Sequence, residues 1–547
     1  MYKFKRYISF AMIFLLSLSV LMAGCGTSST DSKDASTAGD NATKTSEASP
    51  TPTAPAAEPP AKVKMFFGTA GIQFPSDVDV SNNPFLNIIE KAANVDLEMI
   101  QPPYADFQTQ FNLMMASGEL PDIVHCWFKS DIDKYGSEGA FINWNDYLPK
   151  SKQLSQFYSK DMLDQMKTTD GAVYALNVLS AMDPNGTYAR IDLINEVNGG
   201  VMPKTPDDWY QIMKKVKEKY PDSIPMSTQG GIMMADYFFK AFGVGVDGNG
   251  IKLQVLADAP DKYIWGFQAP KARDAIEFHR KLYAEGLLDK TFVTNKGTEY
   301  ANAVETKNTM IFWGGAAAII SRQDRYGSIG NTTAVVGFVN NPIASGVNPK
   351  DCYQPMSPIG WHCVSIAGKS KNIDAAVRVI EAFTLPEVKE GIAWGREGIE
   401  YVKNADGKKI LDNEASALAN YRVAYCFYNS YWYPDNLDVK AAQTYPKLAG
   451  AQAAAFRKAY TEGVAIRNKE SESVPSFTAA SFVPTNAELA PKAAEARAAS
   501  LNIIFKAIIG EITMEEYDKQ VSEFIEKYKY ITDNYTKALQ KVITERK

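Results

Sequence analysis

The sequence predicts an α/β fold built on a parallel sheet and divided into at least two lobes. Apolar runs with strand character alternate with helical runs at 63–67 (strand), 84–93 (helix), 95–100 (strand), 106–116 (helix) and 122–126 (strand). Such alternation implies parallel strands joined by right-handed crossovers. The chain has 547 residues, which is more than one ordinary domain holds. Segments 68–75 and 125–130 then lie at the carboxyl ends of strands, where these sheets bind ligands.

The amino terminus reads as an export signal. Lys3, Lys5 and Arg6 precede an apolar run at 8–21, which is shorter than the ~20 residues of a membrane span. The following LMAGC sequence ends at Cys25 and resembles the lipobox of bacterial lipoproteins, although Met22 replaces the more usual leucine. The resemblance implies a signal peptide at 1–24, lipidation (palmitate) of Cys25, and anchoring on the extracellular face of the cytoplasmic membrane. A plain secretory signal is the alternative.

Residues 25–62 are predicted to form a disordered linker behind the lipidated cysteine. They are mostly Ser, Thr, Ala, Asp, Lys, Glu and Pro. This mixture has too few large apolar side chains to offset the entropy that ordering would cost. Folding is therefore expected to begin at Val63.

Composition excludes several function classes. The net charge of -5 offers no basic surface for nucleic acid. Three histidines and the absence of a C-x-x-C motif argue against structural zinc. Cys352 and Cys363 could close a short loop, but spacing does not establish any pairing among Cys126, Cys352, Cys363 and Cys426. Aromatic residues make up 12% of the chain, including 28 Tyr and 8 Trp, which is more than a core alone requires.

One stretch connects these observations to a known family. Residues 111–124 (FNLMMASGELPDIV) read as a helix that ends at a glycine and leads into a strand. This stretch resembles the signature region of extracellular solute-binding proteins of ABC importers, in particular the oligosaccharide-binding lipoproteins of Gram-positive bacteria. Further matching pieces follow in family order at 170–176, 188–192, 203–209, 282–287 and 394–401.

The resemblance implies an α/β, periplasmic-binding-protein-like type II fold, with two lobes, a ligand cleft and crossing segments. Lobe I would comprise 63–181 with about 343–395, and lobe II 182–342 with about 396–547. Crossings are expected at 183–186, 336–342 and 391–400. The implied protein is a monomer without cofactor that captures an extracellular oligosaccharide by lobe closure and delivers it to a membrane permease.

Candidate ligand-binding residues follow from sugar chemistry, since a sugar site needs aromatic planes for ring faces and polar side chains for hydroxyls. Strand ends and turns expected at the cleft supply Trp127, Asp183, Asn185, Tyr188, Arg190, Trp313, Trp361, Tyr431 and Trp432. Tyr237 lies where maltose-type relatives place a stacking aromatic. Core packing is the alternative for every aromatic residue. It is favoured for Trp144 and Trp209, whereas Trp265 is expected at the surface.

No metal site is predicted. Relatives often carry a calcium-loop-like insert after the helix that ends here near Tyr220, but this chain continues through 221–225 with too few oxygen ligands. Residues 247–250 (DGNG) read better as a hairpin turn than as half a calcium loop. His279 is expected to be structural.

Competing functions remain at this point. A surface glycoside hydrolase would need two carboxylates roughly 5–10 Å apart, and 63 acidic residues supply accidental candidates. However, neither a nucleophile elbow nor metal-binding histidine spacing is visible, so a binding protein is expected rather than an enzyme. An adhesin would show repeats or β-sandwich patterning, which are missing. A peptide or another non-sugar oligomer remains an alternative ligand.

Overall fold

The computed structural model describes residues 59–69, 71–179, 184–228, 230, 236–407, 409–428, 448, 450–486 and 488–546. Pro59–Lys547 forms one compact unit. The first strand begins at Ala61, two residues before the expected start of folding. The predicted signal peptide, Cys25 and most of the predicted linker lie outside the described residues.

The strands are numbered in chain order. They are β1 (Ala61–Phe67), β2 (Val95–Ile100), β3 (Ile123–Cys126), β4 (Leu176–Leu179), β5 (Gly186–Arg190), β6 (Val246–Asp247), β7 (Gly250–Ile251), β8 (Leu253–Leu256), β9 (Ala259–Trp265), β10 (Ile311–Gly314), β11 (Val336–Phe338), β12 (Ile359–Ile366), β13 (Tyr401–Lys403) and β14 (Lys409–Leu411).

The helices are numbered in the same way. They are α1 (Pro84–Ala93), α2 (Phe107–Ser117), α3 (Lys129–Ser137), α4 (Lys152–Phe157), α5 (Lys160–Met166), α6 (Ile191–Asn198), α7 (Pro206–Lys219), α8 (Asp236–Ala241), α9 (Ala272–Ala284), α10 (Gly297–Thr306), α11 (Ala316–Ser328), α12 (Pro349–Cys352), α13 (Ile373–Ala382), α14 (Pro386–Trp394), α15 (Asn413–Leu418), α16 (Gly450–Glu472), α17 (Ala490–Ile509) and α18 (Met514–Glu545). In the part of the chain that the structure describes, no helix has both the length and the apolar composition of a bilayer span.

Local sequence explains where several helices begin and end. The side chain of Thr205 caps α7 by accepting from the backbone N–H of Asp208, and the Asp208 carboxylate accepts from the N–H of Thr205 in return. Pro206 occupies the first helical position, where its missing N–H costs nothing. At the other end of α2, Gly118 adopts a φ of 70°, a left-handed conformation that glycine accommodates without strain.

A five-stranded sheet has the order β2-β1-β3-β12-β4. β1 is parallel to both β2 and β3, as the alternation of strands and helices predicts. β12 departs from that prediction, because it runs antiparallel to β3 and to β4. The carboxyl ends of β1, β2 and β3 therefore meet the amino end of β12 at one edge of the sheet.

A three-stranded sheet has the order β10-β5-β11, with both outer strands antiparallel to the central β5. Helices cover both faces of this sheet. Ala189 packs into one cluster of buried side chains, whereas its neighbour Tyr188 packs into another on the opposite face. All five residues of β5 are consequently buried.

Two cores surround the two sheets. The first core surrounds the five-stranded sheet and draws mainly on residues 63–178 and 363–425. The second core surrounds the three-stranded sheet and draws mainly on residues 188–339 and 448–531. Ile392 and Tyr425 belong to the first core, and the Tyr425 ring stacks on Phe67 at 5.5 Å between centroids. The expected return to lobe II at about 391–400 therefore differs from the packing, since the chain is still in the first core at Tyr425.

The structure decides several further expectations. Trp144 and Trp209 are fully buried, which confirms their assignment to the core. The expectation for Trp265 is wrong, because the residue is fully buried and its ring packs against Phe524 and Tyr528 of α18. α18 lies far along the chain, so local sequence gave no sign of this cover.

The turn and histidine assignments are confirmed. β6 and β7 pair as a hairpin around residues 247–250, with Asp247 opposite Gly250. His279 is buried in α9, and its Nδ1 lies 2.7 Å from the carbonyl oxygen of Ala275. Burial lowers the pKa of His279 to about 4. A neutral, buried histidine held within its own helix fits a structural role.

Candidate functional site

An aromatic surface lies at the edge of the five-stranded sheet where β3 ends and β12 begins. Trp127 directly follows β3, is half-buried, and stacks on Phe107 with ring centroids 4.4 Å apart and planes at 22°. Trp361 lies near the start of β12, 5.9 Å from Trp127 between ring centroids, and 60% of its surface is exposed. Two indoles from non-adjacent chain segments thus share one edge.

Tyr104 completes this surface, which we call the aromatic edge (Tyr104, Trp127 and Trp361). Its ring centroid lies 5.9 Å from that of Trp127, and 57% of the residue is exposed. Tyr104 was not among the sequence candidates. The available signal was its position a few residues beyond the carboxyl end of β2, where Pro102 and Pro103 end the strand.

Gly68 allows the backbone to pass closely beneath the aromatic edge. A Cβ atom at this position would lie 2.6 Å from the Trp127 ring and 2.9 Å from the Phe107 ring. Gly68 directly follows β1, within the segment expected at the ligand edge. Its lack of a side chain leaves the space that the Trp127 and Phe107 rings occupy.

Two histidines support the aromatic edge from inside the protein. The Gly68 N–H donates to His125 Nδ1 at 3.3 Å, so neutral His125 carries its proton on Nε2. His125 Nε2 then donates to His362 Nδ1 at 2.9 Å. Both residues are fully buried, and the His362 ring contacts Trp127 and Trp361 at 5.5 and 3.9 Å between centroids.

Burial sets the charge state of this histidine pair. Loss of hydration lowers the pKa of His125 well below its usual value, with a further lowering from His362, and lowers that of His362 to about 3. Both rings are therefore neutral at physiological pH. A second proton on either ring would create a buried cation. It would also place an N–H group opposite another hydrogen-bond donor.

The candidates on the three-stranded sheet occupy a different environment. Tyr188 is 3% exposed, and its ring stacks on Phe312 at 5.0 Å. Arg190 is also 3% exposed, and it donates to both carboxylate oxygens of Asp192 at 2.8 and 2.5 Å. The Arg190 guanidinium also lies 5.0 Å from the centre of the Tyr326 ring. These side chains are engaged within the second core.

Trp313 and Asn185 complete the candidates that the structure describes. Trp313 is 8% exposed and packs in the second core, with Lys240 Nζ 5.0 Å from the centre of its ring. Asn185 is half-buried immediately before β5. Asp183, Tyr431, Trp432 and the side chain of Tyr237 lie outside the described residues. The structure thus brings Trp127 and Trp361 together and places Tyr188, Arg190 and Trp313 elsewhere.

The aromatic edge has the chemistry of a surface for flat, amphipathic ligands. Three rings present faces or edges beyond the core, and such faces pack against the C–H groups of a sugar ring. Within the described ranges, no group of three or more His, Cys, Asp or Glu side chains is arranged to hold a metal ion.

Comparison with known proteins gives a consistent set of similarities. Residues 80–390 match the family model described as bacterial extracellular solute-binding protein. The chain is 29% identical over 250 residues to lipoprotein LipO of Bacillus subtilis, covering 44% of this chain and 48% of LipO. It is 28% identical over 317 residues to the fructooligosaccharide ABC transporter substrate-binding protein FusA of Streptococcus pneumoniae, covering 53% and 54%. The chain thus spans about half the length of these two relatives.

Solved structures show the same fold. Alginate-binding protein AlgQ2, in a structure without calcium ion, matches with a TM-score of 0.66 at 18% identity, over 89% of this chain and 98% of that chain. FusA of S. pneumoniae in complex with kestose matches with a TM-score of 0.62 at 18% identity, over 89% and 99%. The predicted type II periplasmic-binding-protein-like fold is thereby confirmed.

Proposed function

Because the chain belongs to the bacterial extracellular solute-binding protein family, we propose that it is the substrate-binding component of an ABC transporter for oligosaccharides. It captures the sugar outside the cell and presents it to a membrane permease. FusA, one of its relatives, is a fructooligosaccharide-binding protein of an ABC transporter. The aromatic edge is the observation in this chain that supports a carbohydrate ligand most directly.

The aromatic edge suits a sugar for a physical reason. Trp361 and Tyr104 keep more than half of their surface exposed although both are large rings. Each ring that stacks on a sugar face contributes about 0.5–1.5 kcal/mol beyond the apolar area that it buries. An oligosaccharide that covers several rings therefore gains affinity without a charged contact.

Capture requires the two lobes to close on the ligand. A ligand that contacts both lobes only in the closed form shifts the population towards closure by its difference in affinity for the two forms. In our proposal the aromatic edge supplies the wall from the five-stranded sheet. Asn185, beside β5, supplies a polar group from the region around the three-stranded sheet. The closed form is the one that the permease recognises.

A ligand screen tests this function. Purified protein is heated with a panel of plant and microbial oligosaccharides, with peptides as a second panel. A bound sugar at 100 times its Kd should stabilise the folded state by about 2.7 kcal/mol and raise Tm accordingly. Stabilisation by peptides alone would contradict the carbohydrate assignment.

The same screen separates binding from hydrolysis. A surface glycoside hydrolase would release new reducing ends from the sugar that stabilises it, whereas a binding protein returns the sugar unchanged. We propose a binding protein, in line with the family. Accumulation of reducing ends at a rate proportional to protein concentration would contradict this proposal.

We also propose that Cys25 carries the lipid anchor. Two or more acyl chains hold a protein on a membrane durably, since each buried methylene contributes about 0.8 kcal/mol. Expression of the full chain and of Cys25→Ser in a Gram-positive host tests the anchor. The unaltered protein should remain with the membrane fraction and Cys25→Ser should appear in the medium. Equal release of both would contradict it.

A further inference from the structure

Two buried cysteines face each other directly beneath the aromatic edge. Cys126 is the last residue of β3, and Cys363 lies opposite to it in the antiparallel register of β12. Their Sγ atoms are 3.9 Å apart, and neither residue has any exposed surface. Cys126 directly precedes Trp127, and Cys363 follows Trp361 by two positions.

The backbone geometry at this pair suits a disulfide. Directly opposed residues of antiparallel strands have Cα atoms about 4.5 or 5.5 Å apart, and both values lie within the roughly 4.4–6.8 Å that disulfides span. Side-chain rotation within the sheet can therefore bring the two sulfurs to bonding distance. A backbone shift is not required.

Cys352, the third cysteine whose side chain the structure describes, stands apart from this pair. Cys352 Sγ lies 4.0 Å from the carbonyl oxygen of Ala241 and 3.8 Å from that of Asn348. Pairing of Cys352 with Cys363, which their spacing in the sequence allowed, is thus not the arrangement in the structure. Cys363 instead has Cys126 as its neighbour, from a position 237 residues away in the chain.

We propose that Cys126 and Cys363 form a disulfide in the exported protein. The family is extracellular, and disulfides form and persist in oxidising compartments outside the cytoplasm. The oxidant is a disulfide, either of a thiol–disulfide exchange protein or of a small molecule. The bond forms while the chain folds, before the sheet excludes the oxidant.

The disulfide forms by two successive thiol–disulfide exchange reactions. The thiolate of one cysteine, after losing its proton to solvent, attacks a sulfur of the oxidant disulfide and releases the other oxidant sulfur as a thiolate. The thiolate of the second cysteine then attacks the protein sulfur of this mixed disulfide and releases the second oxidant sulfur. The two protein thiols lose two electrons and two protons, and the oxidant disulfide is reduced to two thiols.

The bond would tie together the two strands that carry Trp127 and Trp361. β3 and β12 come from distant parts of the chain, so the cross-link closes a long loop and constrains the unfolded ensemble strongly. The folded disulfide resists later exchange, because neither sulfur has exposed surface that an attacking thiolate could reach. The spacing of the two indoles is then fixed covalently.

Peptide mapping tests the bond on the full chain purified without reductant, with free thiols alkylated in denaturant so that buried cysteines also react. Cleavage after lysine and arginine leaves Cys126 in peptide 92–129, whereas Cys352 and Cys363 share peptide 351–369. We expect these two peptides to be linked, with a mass two hydrogens below their sum, and to separate after dithiothreitol.

Two variants identify which cysteine of peptide 351–369 is linked to Cys126. Cys352→Ser should keep the linked peptides, and Cys363→Ser should lose them. Protein that is unfolded and refolded with reductant should have a Tm roughly 3–8 °C below that of protein treated in the same way without reductant, both for the unaltered chain and for Cys352→Ser. Cys363→Ser should show no such change.

Alkylated Cys126 and Cys363 in the unreduced protein would overturn the proposal. So would a linkage that Cys352→Ser removes. None of these readouts uses a sugar, so failure of the disulfide and failure of the proposed function are distinguishable.

Discussion

The edge of the five-stranded sheet and the interior of the three-stranded sheet carry similar residues in different environments. Trp361 is 60% exposed at the start of β12, whereas Trp313 is 8% exposed in β10. Both lie at the end of a strand. The difference arises because helices cover both faces of the three-stranded sheet, while Trp361 projects beyond the cover of its own sheet. Position at a strand end therefore does not by itself make a side chain available to a ligand.

The largest expected effect concerns Trp313, the buried member of this comparison. Trp313→Ala should lower the free energy of unfolding by about 3–5 kcal/mol, because it removes a large ring from a closed core. Urea denaturation measures the change, and Trp313→Phe, which keeps part of the volume, should lose less. A loss of affinity without a loss of stability would instead place Trp313 in the ligand site.

Arg190, which is also buried at the three-stranded sheet, provides the second test. Arg190→Met leaves the carboxylate of Asp192 without its cation, and breaking a buried pair costs about 3–5 kcal/mol. Arg273→Met is the matched control, because the exposed Arg273 pairs with exposed Glu277 and Asp518. Such surface pairs contribute about 0–1 kcal/mol. Equal losses in the two variants would contradict a structural role for Arg190.

Acid should weaken the support beneath the aromatic edge. The folded-state pKa of His362 is about 3, below the unfolded value of 6.5. The unfolded chain therefore binds a proton that the folded chain does not between these two values. Stability is full above pH 6.5 and falls by about 1.4 kcal/mol per pH unit for this residue as the pH drops towards 3.

The quantity to measure is the slope of the unfolding free energy against pH. Unfolding free energies at pH 5, 5.5 and 6 should depend less steeply on pH in His362→Asn than in the unaltered protein, whatever the absolute stability of the variant. Parallel curves for the two proteins would contradict the assignment of a neutral, buried His362.

Tyr104 gives the smallest expected effect. Tyr104→Ala should weaken binding of the identified oligosaccharide about 2- to 10-fold, since a single stacking ring contributes about 0.5–1.5 kcal/mol. Stability should change little because the residue is 57% exposed. Isothermal titration calorimetry measures the affinity. Unchanged affinity would show that Tyr104 does not contact the sugar and would leave the two indoles as the ligand site.

The sequence predicts local elements well in this chain and long-range placement less well. The strands and helices expected between residues 63 and 126 agree with the structure to within two residues, because alternating patterns and caps are local signals. The antiparallel direction of β12 was not visible, since its partners lie more than 170 residues earlier. The burial of Trp265 depends in the same way on α18, more than 240 residues later.

The candidate site shows the same limit. Trp127 is expected at the ligand edge because it follows a strand of a parallel sheet, and the same argument applies to Tyr104 after β2. The chemistry and position of Tyr188 and Arg190 favour a ligand role, but their environment depends on α11, which carries Tyr326 and which no sequence pattern connects to β5. The Cys126–Cys363 pair likewise becomes visible only in the register of β3 against β12.

The most direct test of the proposed site is the affinity of Trp361→Ala for the oligosaccharide that the screen identifies. Tyr530→Ala is the matched control, since Tyr530 is a 46% exposed ring on α18. Titration calorimetry should show binding about 10- to 50-fold weaker in Trp361→Ala, with the unfolding free energy changed by less than about 1 kcal/mol, and unaltered binding in Tyr530→Ala. A Trp361→Ala protein that binds as tightly as the unaltered chain would contradict the assignment of the aromatic edge as the sugar-binding surface.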